Sequence, residues 1–175
     1  MRVHISKLTM LGVAVLASVG IASCGGGVTS ALVNITAENS NYVVPAEGKT
    51  ENIVVKSGTT ATITLDGNLT VTGNHAIAVE EGAVLTIKGT GTVEAIGEEF
   101  VPLYNNGTTT IDGGVFYKNA AKGSGYAIHN DRDMVINNAT VLMDTGDTGG
   151  NISSSLIENG GAAYGVRNLT INGGT

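Results

Sequence analysis

The tetrapeptide Leu85-Thr86-Ile87-Lys88 has four close counterparts in this chain, and together they indicate the fold. Every copy centres on an isoleucine, and successive isoleucines are separated by 24, 24, 25 and 35 residues. The copies are Ala61-Thr62-Ile63-Thr64, Leu85-Thr86-Ile87-Lys88, Thr109-Thr110-Ile111-Asp112, Met134-Val135-Ile136-Asn137 and Leu169-Thr170-Ile171-Asn172. In each copy the isoleucine and the residue two positions earlier point to one face, and the intervening residue points to the other. This alternation predicts a β-strand, and its recurrence predicts a repeat protein.

Two further apolar segments accompany each core, so one repeat contains about three short strands. One segment precedes the core, as at residues 76–79 before Ile87, and the other follows it, as at residues 69–71 after Ile63. Such a unit cannot bury its apolar face alone, whereas stacked units align their inward side chains into ladders. We therefore predict an all-β fold, a right-handed parallel β-helix or solenoid of about five coils over residues 50–175, with a repeat of about 24 residues.

A second ladder supports this register. Asn105, Asn130 and Asn159 each follow an apolar residue by two positions, in the segment that precedes the core. Stacked asparagine side chains can hydrogen-bond one another along the axis of a solenoid. In its period and ladders, the region 50–175 resembles the pectin-lyase-like right-handed parallel β-helices, which often carry an asparagine ladder at one turn. That superfamily includes polysaccharide lyases and hydrolases, bacterial adhesins and phage tailspikes, so the resemblance implies a fold and no single activity.

Composition excludes several classes of function. Charged residues make up 14% of the chain, the net charge is -6, and no basic patch stands out. We therefore expect no nucleic-acid partner. A single cysteine, Cys24, excludes an internal disulfide.

The N-terminal segment reads as a targeting signal. Residues 1–23 begin with a positive region and continue into an apolar stretch that is short for a bilayer span. The segment ends in Ile21-Ala22-Ser23-Cys24, which resembles the lipobox of bacterial lipoproteins. The resemblance implies lipidation of Cys24, contact with a lipid membrane and a place on the bacterial cell surface, at the outer membrane. Residues 24–49 would then form a tether and an N-terminal cap; the alternative for residues 1–23 is an uncleaved apolar arm packed against a partner.

The sequence offers little catalytic chemistry. The stretch His129-Asn130-Asp131-Arg132-Asp133 would supply a base, a cation and two carboxylates to an active site. We interpret it instead as a turn with an outward histidine and charges that neutralise one another. The histidines lack metal-ligand spacing, and no pair of carboxylates of the glycosidase type is visible. We therefore predict a non-enzymatic protein without catalytic residues, metal or cofactor.

The long interval before Ile171 predicts an insertion at residues 144–155. Insertions in solenoids protrude on one face and often carry the binding function. The segment lacks the spacing of an EF-hand calcium loop. We therefore take it as the first candidate for a recognition loop, with Asp144, Asp147, Asn151 and Ser153 as its candidate side chains.

Two other regions are candidates for recognition. The stretch from Glu94 to Glu99 is acidic, and Tyr117 and Tyr126 bracket a polar segment. Tyrosine rings can stack on sugars. The alternative is that these rings only cover the core.

The last copy of the repeat stops at Thr175 with no polar cap, whereas the copy at Ile111 continues into a further strand. Solenoids normally need a cap. Three explanations stay open: a truncated copy of a longer adhesin, an open end that docks on another chain, or ends that pair in a homo-oligomer.

The leading functional hypothesis is a lipid-anchored surface protein whose solenoid binds a carbohydrate or a host surface. The first alternative is a virion fibre or decoration protein whose N-terminal arm is buried in the particle. The second alternative is a fragment of a polysaccharide-active enzyme.

Overall fold

The computed structural model describes residues 30–97, 100–119, 125–144, 154–160 and 167–175. This part of the chain consists mainly of short strands, with one 3-10 turn at Ala37–Asn39, so the predicted all-β solenoid is confirmed. In chain order the strands are β1 (Ala31–Ile35), β2 (Asn41–Val44), β3 (Glu51–Val55), β4 (Thr60–Leu65), β5 (Leu69–Thr72), β6 (Ile77–Val79), β7 (Val84–Gly89), β8 (Thr92–Ile96), β9 (Leu103–Asn105), β10 (Thr108–Ile111), β11 (Val115–Asn119), β12 (Gly125–Asn130), β13 (Asp133–Ile136), β14 (Thr140–Asp144), β15 (Ser154–Glu158) and β16 (Asn168–Ile171).

The strands form three parallel sheets that run the length of the solenoid. Sheet A has the order β1-β3-β6-β9-β12-β15, sheet B the order β2-β4-β7-β10-β13-β16, and sheet C the order β5-β8-β11-β14. Each complete coil gives one strand to each sheet. The coils that begin at β3, β6, β9 and β12 are complete, and a partial coil of two strands lies at either end.

The repeat isoleucines form the predicted ladder in sheet B. Ile63 pairs with Ile87, Ile87 with Ile111, Ile111 with Ile136, and Ile136 with Ile171. The first four are buried in the core, where each such side chain contributes about 1.5–3 kcal/mol. Ile171 keeps the register but is 58% exposed, because β16 is the outermost strand of sheet B and no described coil covers it.

Glycines make the corner between sheets B and C narrow enough for the coils to stack. A Cβ atom on Gly91 would lie 2.0 Å from the carbonyl oxygen of Gly67, one coil earlier. A Cβ atom on Gly113 would lie 2.4 Å from the carbonyl oxygen of Gly89. Only glycine fits such a close approach of two backbones, which explains the glycines that follow the cores at Ile63, Ile87 and Ile111.

The solenoid starts earlier than the repeat predicts. Part of the expected tether and cap, residues 24–49, contributes strands: β1 pairs with β3 and β2 pairs with β4. Among the described residues, solenoid strands therefore begin at Ala31, ahead of the boundary expected at residue 50. The pattern is weaker here because the apolar Leu32 and Val43 stand at outward, exposed positions of β1 and β2.

The asparagine ladder lies at the corner between sheets A and B. The Nδ2 of Asn105 donates to the Oδ1 of Asn130 at 2.7 Å, and the Nδ2 of Asn130 donates to the Oδ1 of Asn159 at 2.7 Å. Asn105 also accepts hydrogen bonds from the Gly107 amide and the Thr109 hydroxyl. The ladder thus satisfies polar groups where the chain leaves one sheet for the next.

Candidate functional site

Four side chains from successive coils form a column on the outer face of sheet C. Parallel register places Thr70 beside Glu94, Glu94 beside Tyr117, and Tyr117 beside Leu142. Their strand neighbours, including Leu69, Val93, Phe116 and Val141, point into the core. We call Thr70, Glu94, Tyr117 and Leu142 the sheet C column.

Tyr117 is the centre of this column. The Asp144 carboxylate lies near its hydroxyl, and Glu94 is its register partner on the preceding coil, where the Thr70 hydroxyl donates to Glu94 at 3.2 Å. Partial desolvation, followed by the charges of Asp144 and Glu94, raises the pKa of the Tyr117 hydroxyl. Three candidates that are distant in sequence therefore meet here: the start of the acidic stretch, the tyrosine, and the first residue of the expected recognition loop.

No aromatic ring of the described residues covers the ring faces of Tyr117. Ring contacts within the described residues involve His75, Phe100, Tyr104, Tyr126 and His129, and none includes Tyr117. Leu142 is 46% exposed beside it. The column therefore presents an aromatic ring and an aliphatic side chain between hydroxyl and carboxylate groups.

A buried cation supports sheet C from below. Lys118 follows Tyr117 in β11 and points inward, where it donates hydrogen bonds to the carbonyl oxygens of Gly97 and Phe100. Burial lowers the pKa of the Lys118 ammonium. These hydrogen bonds join Gly97, within the acidic stretch, and Phe100, just after it, to β11, the strand that carries Tyr117.

A polar cleft lies at the first end of the column. It has a volume of about 550 Å³, and its lining includes Lys49, Glu51, Asn68 and Thr70. Within the described residues, the first coil gives sheet C no full strand, and its one bridge to β5 joins Lys49 to Leu69. The cleft therefore occupies the place beside the first strand of sheet C, and Thr70 belongs both to the cleft and to the sheet C column.

Aromatic rings stack on the outer face of sheet A. His75 stacks on Tyr104 with ring centroids 5.2 Å apart, and Tyr104 lies 5.0 Å from His129. Tyr126 meets His129 edge to face at 5.5 Å. Because these rings cover one another, the stack offers mainly ring edges to a ligand. Tyr126, a predicted binding residue, is engaged in this stack, and burial followed by a hydrogen bond to Glu158 raises the pKa of its hydroxyl.

Charged groups close around the same stack. The Nδ1 of His129 lies 2.9 Å from a Glu158 oxygen, and its Nε2 lies 3.1 Å from an Asp131 oxygen. Asp131 also accepts from the Tyr104 hydroxyl at 2.9 Å and lies 3.3 Å from Arg167. We call Tyr104, His129, Asp131, Glu158 and Arg167 the sheet A clasp.

The clasp corrects the interpretation of residues 129–133 as a turn whose charges neutralise one another. His129 lies within β12, and its partners come partly from other coils. Arg132 pairs with Glu81. Parallel stacking brings partners 20–50 residues away into contact, which local sequence cannot show. Since both ring nitrogens of His129 already face carboxylate oxygens, the clasp joins β9, β12 and β15.

One signal could have identified the clasp from sequence. Tyr104, His129 and Glu158 each precede a residue of the asparagine ladder by one position. The ladder register therefore places all three in one outward column, as the strand pairing does.

Four predicted site residues lie outside the described part of the chain: Cys24, Asp147, Asn151 and Ser153. Of the predicted recognition loop at residues 144–155, Asp144 lies at the end of β14, and Ser154 and Ser155 lie in β15. Among the described residues there is no group of three histidine, cysteine, aspartate or glutamate side chains that could hold a metal ion. The same residues contain no helix that is long and apolar enough to span a membrane.

Comparison of the chain with protein-family models, with curated proteins and with solved structures found no match.

Proposed function

We propose that this protein is a non-enzymatic β-solenoid that binds glycan through the sheet C column while displayed on the bacterial surface. The observation that supports this proposal is the position of Tyr117, on an outer sheet face, with the Asp144 carboxylate near its hydroxyl and Glu94 beside it in register. The ring is held by a strand that pairs on both sides. A side chain fixed in this way loses little entropy when a ligand binds.

The chemistry of the column suits a sugar. A sugar ring has an apolar face of C–H groups and a rim of hydroxyl groups. The Tyr117 ring supplies an apolar surface for the face, since tyrosine buries a large area with few rotatable bonds. Glu94 and Asp144 supply carboxylate oxygens that accept hydrogen bonds from hydroxyl groups.

The acidic groups support a binding role over a catalytic one. Glycoside hydrolysis needs two carboxyl groups that face each other across the scissile bond, one of them free to give up a proton. Here Asp144 and Glu94 lie on strands of different coils on either side of Tyr117, and Glu94 accepts a hydrogen bond from Thr70. In the clasp, Asp131 and Glu158 are held by His129.

Surface display forms part of the same proposal and rests on the lipobox at Ile21-Ala22-Ser23-Cys24. An acyl chain on Cys24 would hold the start of the protein at the lipid membrane, and the solenoid would extend from there. Stable anchoring of this kind needs more than one acyl chain, which the diacylated cysteine of lipoproteins supplies.

The test is a printed array of neutral, amine-bearing and acidic oligosaccharides probed with the full-length protein. We expect retention on a defined subset of glycans, and loss of that retention in Tyr117→Ala. The matched control is Thr62→Ala, which removes an outward side chain from sheet B. Circular dichroism checks that both variants stay folded. A wild-type protein that binds no glycan, or a folded Tyr117→Ala that binds as well as the wild type, would overturn the proposal.

A further inference from the structure

We infer that the ligand of the sheet C column is a linear, non-acidic oligosaccharide chain that lies lengthwise along the solenoid axis, across the coils. This inference rests on the proposed function and adds the shape, the direction and the charge class of the ligand. It follows from the order of side chains along the column, from the cleft at one end, and from the charge of the groups that flank Tyr117.

The column is elongated along the axis. Thr70, Glu94, Tyr117 and Leu142 come one from each of four successive coils and share one register position. Neighbouring coils are about 4.8 Å apart, so the column extends over about 14 Å. A single sugar ring placed on Tyr117 would leave Thr70, two coils away, without contact, whereas a chain of sugars reaches it.

The cleft gives the column a defined end. Thr70 lines the cleft together with Lys49, Glu51 and Asn68, all of them polar. A chain that runs down the column from Leu142 therefore arrives at a recess with hydrogen-bonding groups. A chain laid across the column, along β11, would instead contact Val115 on the same outer face and would not reach the cleft.

Charge selects against an acidic chain. Glu94 and Asp144 both lie beside Tyr117, and the whole chain carries a net charge of -6. A uronate carboxylate on the sugar stacked against Tyr117 would face two like charges, which is unfavourable for binding and slows the encounter. Neutral hydroxyl groups and sugar amines face acceptors instead.

The experiment measures the affinity of the full-length protein for cello-oligosaccharides, N-acetylglucosamine oligomers, glucosamine oligomers and oligogalacturonates of one to six units by isothermal titration calorimetry. We expect affinity for at least one of the first three series to rise about tenfold or more from one unit to four and then to level off, because longer chains pass beyond the column. Oligogalacturonates of equal length should bind more weakly.

Variants locate the chain. Thr70→Ala should weaken binding of the four-unit chain by several-fold and reduce the gain with length, whereas binding of the single sugar should hardly change. Leu142→Ala, next to Tyr117, should also weaken binding of the four-unit chain. Matched controls are Thr62→Ala and Val43→Ala on the outer face of sheet B, which should leave every affinity unchanged.

The outcomes separate the two proposals. Affinity that is lost in Tyr117→Ala but does not depend on chain length overturns the lengthwise arrangement and leaves the glycan-binding function standing. If Val115→Ala weakens binding and Thr70→Ala and Leu142→Ala do not, the sugar chain follows strand β11. That result also overturns the lengthwise arrangement and leaves the glycan-binding function standing. Equal or tighter binding of oligogalacturonates overturns the charge class. Failure of all four series to bind overturns both proposals.

Discussion

The side-chain amides of Asn105 and Asn130 are joined by a buried hydrogen bond of 2.7 Å between two successive coils. Their Cα atoms are also partners in the register of sheet A. The same amide of Asn130 that accepts from Asn105 donates to Asn159 in the next coil. The ladder therefore couples the coils at the corner where the chain passes from sheet A to sheet B.

Asn130→Ala should lower the free energy of unfolding by about 1–3 kcal/mol, because it removes the hydrogen bonds that join Asn130 to Asn105 and to Asn159. Urea denaturation followed by circular dichroism measures the change. Asn138→Ala is the matched control, since Asn138 is exposed and its loss should change stability by no more than about 0.5 kcal/mol. Equal stability of the two variants would show that the ladder does not contribute to folding.

Ile111→Asp should prevent folding. Ile111 is fully buried between Ile87 and Ile136, and a carboxylate at this place would have no partner for its charge. Circular dichroism and size-exclusion chromatography would report the loss of the β-solenoid. Thr110→Asp places the same charge one residue earlier, on the outward side of β10, and should fold normally. A folded Ile111→Asp would contradict the inward placement of the ladder.

His75 should make the protein less stable at mildly acidic pH. Burial, followed by the charges of His129 and Lys118, lowers the pKa of His75, and its Nδ1 accepts a hydrogen bond from the Val101 amide at 3.1 Å. As pH falls below about 6.5, the unfolded chain therefore takes up a proton at this residue before the folded chain does, and the free energy of unfolding decreases. The decrease ends once pH has passed below the lowered pKa of the folded state.

His75→Asn isolates this effect, because the amide oxygen can accept from Val101 and does not titrate. Urea denaturation of both proteins between pH 5 and pH 8, a range of about three units around the ordinary histidine pKa, gives the comparison. We expect the stability of the wild type relative to His75→Asn to fall as pH is lowered. A difference that is constant across this range would contradict the prediction.

Cys24 should carry acyl chains in the mature protein. Mass spectrometry of the protein purified from a bacterial membrane fraction should show an N-terminus at Cys24 with bound lipid, and Cys24→Ser should remove both the lipid and the membrane association. Detection of an intact Met1 in the mature protein would favour the uncleaved apolar arm and, with it, a structural protein of a particle.

The sequence was sufficient for the repeat and for its register. Ile63, Ile87 and Ile111 recur at a spacing of 24 residues. Because a strand points alternate side chains to opposite faces, this recurrence was enough to assign the residues that face the core. The sequence was insufficient at the first coil, because the hydrophobic pattern that identifies a coil is weaker in β1 and β2. Among the described residues, each of these strands pairs with a neighbouring strand on one side only.

The sequence identified individual candidate site residues, but it did not show which of them lie next to one another. Glu94, Tyr117 and Asp144 each stood out by type, but they lie on three different coils and meet only through parallel pairing. The asparagine ladder aligns Tyr104, His129 and Glu158, but nothing in the sequence marks Arg167 as a neighbour of this group. His129 was noticed and assigned neighbours from its own stretch, whereas stacking gives it Glu158.

The sequence by itself determined that this chain is a stacked parallel β-solenoid, because the alternation of inward and outward residues and the period of the coil are local properties of the chain. Only the tertiary structure decided which outward side chains become neighbours. Stacking places residues of successive coils about 4.8 Å apart whatever their separation along the chain. That spacing makes Tyr117, Glu94 and Leu142 one surface, and it encloses His129 between Asp131 and Glu158.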